Sequence, residues 1–193
     1  MAKSIELNYI KGLIPASELE SIMSKLQDHN IKLECHDLLG QPQAAVEDLL
    51  AHVVLFLSSD FMQAYILGLA SNATYDCIKI CIANIWQLLS GKKIYRYSGK
   101  GVEHVAANFD LDIETDFGRK VKFKLKGDIP HNLKEKCIDR AFRLFESKSF
   151  FANRTGYVCL YDDEEKNWEI YEYLDFVKKF AKLRDLERFS VRD

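Results

Sequence analysis

The stretch that decides the fold is residues 109–125, FDLDIETDFGRKVKFKL. Apolar and charged residues alternate on both sides of Gly118, a pattern typical of two half-buried strands. A three-residue loop, Phe117-Gly118-Arg119, predicts the cross-strand pairs Asp116–Lys120, Glu114–Lys122, Asp112–Lys124, Asp110–Lys126 and Ile113–Phe123. Opposite charges and apolar side chains facing each other favour this register, and glycine supplies the positive φ that such a loop needs.

The residues before this hairpin predict a βαββα unit. Strands are expected at residues 5–10, 31–35 and 53–57, from alternating or continuous apolar residues. Helices are expected from Pro15 to about Asn30 and, more briefly, over residues 44–50. Asp60 is typical of a helix N-cap, and the helix that follows is predicted to run unbroken from Phe61 to Leu89.

The C-terminal part predicts further hairpins and helices. A strand is expected at residues 93–97, a helix from Pro130, a second hairpin over residues 157–173 and a final helix over residues 174–189. The predicted class is α+β: a mixed N-terminal βαββα unit with a long buried central helix, followed by antiparallel hairpins packed against two amphipathic helices. A change in composition near residue 100 predicts subdomains 1–99 and 100–193, with one continuous domain as the alternative.

Composition restricts the class of protein. The chain is 48% hydrophobic and 29% charged, as is ordinary for a globular protein. Residues 1–91 carry 5 Lys/Arg against 10 Asp/Glu, and the basic residues that follow are interspersed with acidic ones, which argues against nucleic-acid binding. Five irregularly spaced cysteines and a polar N-terminus predict a reduced, cytoplasmic protein.

Asp110, Asp112 and Glu114 are the candidate metal ligands. Alternate carboxylates on a strand lie on one side, as in metal-dependent nucleases and phosphatases. The competing interpretation is a ladder of exposed ion pairs with the lysines of the return strand. We favour the ladder, because no histidine accompanies the carboxylates.

The cysteines and histidines give weaker patterns. Cys77 and Cys81 lie four apart on one helix face and are expected to pack in the core, since a zinc site needs two further ligands. Cys35 and His36 are adjacent on a strand and point to opposite faces, so they cannot form a thiol–base pair. His52 and His104 have no recognisable partner pattern.

Residues 49–70 are the candidate membrane segment, with His52 and Asp60 as their only ionisable groups. An aspartate at the centre of a span costs about 2.5–3.5 kcal/mol. A strand followed by a capped, buried helix explains the same residues without that cost, so we expect no membrane insertion.

Three segments are candidate interaction surfaces. The first is the uncharged helix over residues 61–75, and the second is the acidic turn over residues 162–165. The third is any exposed member of an aromatic group, since Trp and Tyr dominate binding hot spots: Phe150, Phe151, Tyr157, Tyr161, Trp168, Tyr171 and Tyr173.

These patterns predict a non-enzymatic protein-interaction module, such as an adaptor, immunity or regulatory subunit of a cytoplasmic complex, with a protein partner or self-association. The first alternative is a metal-dependent hydrolase acting through the acidic strand face, and the second is a membrane-acting protein. No catalytic, cofactor-binding or metal-binding residue is assigned. Residues 68–79 resemble helices of small bacterial proteins, which implies no activity.

Overall fold

A computed structural model describes residues 3–38, 52–66, 72–98, 101–125, 129–147, 155–162 and 164–179. The helices are α1 (Ala16–Gln27), α2 (Ser59–Ile66), α3 (Asn72–Leu89) and α4 (His131–Glu146), and residues 173–179 are also helical. The strands are β1 (Lys3–Tyr9), β2 (Ile31–Asp37), β3 (Val53–Leu57), β4 (Lys93–Ser98), β5 (Gly101–Ala106), β6 (Phe109–Glu114), β7 (Lys120–Leu125), β8 (Tyr157–Asp162) and β9 (Asn167–Glu172).

Seven strands form one mixed sheet in the order β2-β1-β3-β6-β7-β8-β9, and β4 and β5 form a separate two-stranded hairpin. Parallel pairs (β1–β2, β3–β6 and β7–β8) alternate with antiparallel ones. The predicted α+β class is confirmed. The sheet contains strands from both predicted segments, 1–99 and 100–193, because β3 pairs with β6.

One side of the sheet, here called the helical face, carries the main core. Leu7, Leu55, Leu111 and Phe123 are completely buried there. Trp168 packs edge-on against Phe123 at 5.0 Å between ring centroids, and its indole N–H donates to the carbonyl of Cys137 in α4 at 3.2 Å. Burial of each large apolar side chain contributes about 1.5–3 kcal/mol, so this side supplies most of the driving force for folding.

The opposite side, here called the second face, mixes apolar and charged side chains. Val158 is fully buried there, and Phe56 is half-buried. Phe176, in the helical residues 173–179, is also fully buried and meets the Tyr171 ring at 6.1 Å. Part of the final predicted helix therefore packs on this face, whereas residues 180–189 lie outside the described residues.

The β6–β7 hairpin forms, but the predicted register is wrong by two residues. The structure pairs Glu114 with Lys120, Asp112 with Lys122, Asp110 with Lys124, Leu111 with Phe123 and Ile113 with Val121. The three-residue loop is Asp116–Gly118, closed by hydrogen bonds between Thr115 and Arg119. Gly118 has φ +67° and is the last of the three loop residues, the position at which such loops need a left-handed residue.

The expected unbroken helix from Phe61 to Leu89 is also corrected. The rings of Tyr65 in α2 and Tyr75 in α3 stack at 4.9 Å between centroids. One straight helix would separate these residues by about 15 Å along its axis, so it cannot make this contact. The buried central helix is α3, while residues 67–71 and the predicted helix at 44–50 lie outside the described residues.

Candidate functional site

Two of the three candidate metal ligands, Asp110 and Asp112, lie in a largely buried network of four ionisable side chains on the second face. We call Asp110, Asp112, Lys122 and Lys124 the charge quartet. The ammonium of Lys122 donates to both carboxylate oxygens of Asp112, at 2.9 and 3.1 Å, and lies 3.3 Å from Asp110 Oδ2. Lys124 Nζ lies 3.1 Å from the same oxygen. Asp110 and Asp112 each pair with a lysine, as expected, but in the shifted register and in the interior.

The quartet combines two carboxyl groups with two lysines, and Lys122, at 20% exposed, is its most accessible side chain. Asp110 and Lys124 are each 1% exposed, where the sequence predicted exposed ion pairs. Burial alone would lower the pKa of Lys122, but the carboxylates of Asp112 and Asp110 outweigh burial and raise that pKa. The lysine ammonium groups thus supply the positive charge that a bound metal ion would otherwise supply to these carboxylates.

Glu114 lies at the end of β6 and accepts a hydrogen bond from the backbone N–H of Ser59 at 3.3 Å. The side chain of Lys120, opposite Glu114, lies over the ring of Phe56 at 4.7 Å. Within the described residues, no group of three or more His, Cys, Asp or Glu side chains is arranged to hold a metal ion. The three carboxylates of β6 therefore do not converge on one point.

The thiols lie in environments that suppress their reactivity. Cys77 and Cys81 are buried on α3 as predicted, and burial raises the pKa of Cys81 to about 12. Cys35 is half-buried, and burial raises its pKa too. His36, its neighbour on β2, is exposed. Because the thiolate is the reactive form, raised pKa values argue against nucleophilic chemistry at these thiols.

The two histidines without a predicted partner pattern both contact neighbours. His52 accepts a hydrogen bond at Nδ1 from the backbone N–H of Asn108 at 3.0 Å, which ties the start of β3 to the start of β6. His104 on β5 packs beside the ring of Tyr95 on β4 at 4.5 Å between centroids. His52 therefore connects two strands of the sheet, whereas His104 lies on the surface.

Lys134 is a buried cation that the sequence analysis missed. It is 0% exposed, and its ammonium donates to Gln87 Oε1 at 2.6 Å and Ser90 Oγ at 2.8 Å. A cavity of about 240 Å³, lined in part by Trp86 and Ser90, lies alongside. The helix dipole favours a cation near the C-terminus of α3. Lys134 therefore stabilises the contact between α4 and α3.

Residues 53–66 of the candidate membrane segment form a strand and a separate helix, β3 and α2. No helix among the described residues is long and apolar enough to cross a membrane. Residues 49–51 and 67–70 lie outside the described residues.

The candidate interaction residues differ in exposure. At the acidic turn, Asp162 Oδ1 accepts from the backbone N–H groups of Glu164 and Glu165, at 2.8 and 3.1 Å, which leaves the two glutamates in solvent. In the aromatic group, Tyr157 and Trp168 are buried, Tyr161 and Tyr171 are half-buried, and Phe150 and Phe151 lie outside the described residues. Tyr173, at 44% exposed, is the described member that remains available.

The most exposed aromatic ring among the described residues lies on the β4–β5 hairpin. Tyr95 is 64% exposed and Val102 is 55% exposed. The register pairs Tyr95 with His104 and Tyr97 with Val102, so Tyr95, Val102 and His104 share one side, here called the hairpin patch. β4 was predicted from the sequence and β5 was not, although Gly99 and Gly101 between two short alternating runs are a hairpin signal.

Comparison of the chain with protein-family models, curated proteins and solved structures finds no significant match.

Proposed function

We propose that this chain is a non-enzymatic protein-interaction module, an adaptor, immunity or regulatory subunit of a cytoplasmic complex. The observation that carries the proposal is the hairpin patch. Tyr95 and Val102 expose more than half of their surface on a hairpin that lies outside the main sheet. Aromatic side chains are enriched among the residues that dominate binding energy at interfaces.

The energetics of the hairpin support the same function. A two-stranded hairpin is marginally stable by itself, and this one joins the rest of the chain through contacts at its base. The ammonium of Lys92 donates to the carbonyl of Leu13, and Ile94 is half-buried against the main core. A partner that covered Tyr95 and Val102 would bury apolar surface and stiffen the hairpin.

The groups that could have carried chemistry support the proposal indirectly. The quartet carboxylates bond to lysines, and burial raises the pKa of the Cys81 thiol to about 12. The expectation of a reduced, cytoplasmic location rests on the five cysteines, each of which is a free thiol in the structure.

The test compares two surface changes of similar kind. The double variant Tyr95→Ser/Val102→Ser removes the hairpin patch, and Phe117→Ser removes a ring that is 59% exposed at the β6–β7 turn. Tagged wild type and both variants are purified from the native host, and co-purifying proteins are measured by quantitative mass spectrometry. A stoichiometric partner is then reconstituted with each purified chain, and its affinity is measured.

We expect the double variant to weaken the partner's affinity about 30-fold or more, as loss of a hot spot does, and Phe117→Ser to leave it unchanged. Equal affinity of wild type and double variant, with circular dichroism showing both folded, would refute the hairpin patch as the binding surface. Absence of any stoichiometric partner and of self-association would refute the module itself.

A further inference from the structure

Among the described strands, β2 is an outermost strand of the seven-stranded sheet, and its exposed charges are arranged as a self-complementary pair. Lys32 and Glu34 lie on the second face at side-chain exposures of 68% and 37%, with Lys32 Nζ 3.0 Å from Glu34 Oε1. Ile31 and Leu33 alternate with them and are buried on the helical face. An edge strand offers backbone groups on its outer side to any strand that can align with it.

We propose that β2 pairs antiparallel with β2 of a second copy of this chain, with Leu33 opposite the second copy's Leu33. The inference rests on the proposed function and deepens it, because it names one partner of the module. A two-fold axis perpendicular to the sheet relates the copies, so the same strand meets itself in a closed, isologous contact.

Charge favours this register over the two adjacent ones. Residues that lie opposite each other in the two copies must point to the same face of the sheet. In every allowed register, therefore, one residue of β2 lies opposite the same residue of the second copy. Centring on Leu33 places Lys32 opposite the second copy's Glu34 and repeats that contact by symmetry. Centring on Lys32 or Glu34 places like charges directly opposite, which is destabilising.

The surface beside the strand fits the same occupant. A groove of about 370 Å³ between α1 and β2 is lined by Met23, Ile31 and Leu33, and Met23 is 41% exposed. The two-fold axis keeps both copies of α1 on the same side of the extended sheet. Each Met23 then faces the α1 helix of the other copy, and the contact covers apolar surface.

The opposite edge of the sheet lacks this complementarity. β9 is the other outermost strand, and its charged residues, Glu169 and Glu172, are both acidic. No register of β9 against itself pairs opposite charges, and centring on Glu169 sets two carboxylates opposite. The chain is therefore expected to form a dimer through β2 and not an open fibre through both edges.

The experiment uses charge reversal at β2. Lys32→Glu and Glu34→Lys are each prepared alone, as an equimolar mixture, and as the combined double variant, and their masses in solution are measured by sedimentation over a range of concentrations. The wild type should dimerise, each single variant should dimerise about tenfold more weakly or worse, and the mixture should form a heterodimer. The double variant should dimerise like the wild type.

The mixture separates contacts between chains from the contact within one chain. Mixing cannot restore the internal Lys32–Glu34 pair, whereas it sets two lysines of one copy opposite two glutamates of the other. Circular dichroism checks that each variant is folded. As a second measurement, Lys32→Cys and Glu34→Cys chains, both in a Cys35→Ser background, should form a disulfide when mixed and oxidised, but not separately.

A monomeric wild type at every concentration would overturn the proposal. So would single variants that dimerise as tightly as the wild type, or a mixture that stays monomeric. These outcomes are independent of the hairpin assay, because Tyr95→Ser/Val102→Ser leaves β2 intact and should still dimerise.

Discussion

β2 and the β6–β7 hairpin follow the same pattern but end in different environments. In both regions apolar residues point to the helical face, and Lys32 and Glu34, like the lysines and carboxylates of the hairpin, point to the second face. In the inner hairpin Asp110 and Lys124 are each 1% exposed, whereas at the edge the side chains of Lys32 and Glu34 are 68% and 37% exposed. Position in the sheet, and not the pattern, sets the burial of the charges.

The difference changes what each ion pair contributes. Exposed pairs contribute about 0–1 kcal/mol, because water and salt screen them. A buried pair has lost its hydration, so removing one partner leaves the other charge uncompensated. The exposed ion pair of β2 is thus available for reversible contacts, whereas the buried ion pairs of the β6–β7 hairpin stabilise the fold.

The largest expected effect comes from breaking the quartet. Asp110→Ala should lower the free energy of unfolding by about 3–5 kcal/mol, since it removes the carboxylate that lies 3.1 Å from the buried Lys124 ammonium and leaves the quartet with two lysines and one carboxylate. Urea denaturation, followed by the fluorescence of Trp86 and Trp168, measures this change. The matched control is Asp110→Leu/Lys124→Met, which replaces the pair by apolar side chains and should cost less than half as much. Equal losses in both would contradict the role given to the uncompensated charge.

An intermediate effect is expected from alkaline pH. The carboxylates raise the folded-state pKa of Lys122, so its ammonium contributes stability below its ordinary pKa of 10.5. That contribution is lost as pH rises through the raised value. Lys122→Met should therefore be less stable than the wild type at neutral pH, and the difference should shrink above pH 10.5. A difference that stays constant across this range, measured by urea denaturation at each pH, would show that the charge of Lys122 contributes nothing.

The smallest effect is expected at the edge. Lys32→Met should change the free energy of unfolding of the monomer by less than about 1 kcal/mol, because its pair with Glu34 is exposed. Added salt should shrink this difference further, whereas the loss caused by Asp110→Ala should persist. A loss at Lys32 as large as that at Asp110 would remove the distinction between the two regions.

Most elements were predictable from the sequence because local periodicity determines them. The strands at residues 53–57 and 157–162, the β6–β7 hairpin and the buried α3 follow directly from apolar spacing. The correct register of the hairpin could also have been predicted, because glycine is favoured at the third residue of a three-residue loop and not at the second. The predicted register was wrong because it was chosen for its pairs of opposite charges, and the observed register pairs opposite charges as well.

The candidate surfaces were less accessible from the sequence. Two members of the predicted aromatic group are buried: Trp168 contacts Phe123 and α4, and Tyr157 is 6% exposed. The hairpin patch was missed because Tyr95 and Val102 alternate with their neighbours like residues of a half-buried strand. Periodicity identifies the two faces of a strand, but it does not tell which face another element covers.

The sequence by itself determined the α+β class, the faces of each strand and the pairing of carboxylates with lysines, because these depend on neighbours within a few residues or across one turn. Only the tertiary structure decided that β6 and β7 lie inside the sheet and β2 at its edge. Strand order depends on contacts between distant segments, such as β3 with β6 and β7 with β8. That order makes one set of charges a buried quartet and leaves the other facing solvent.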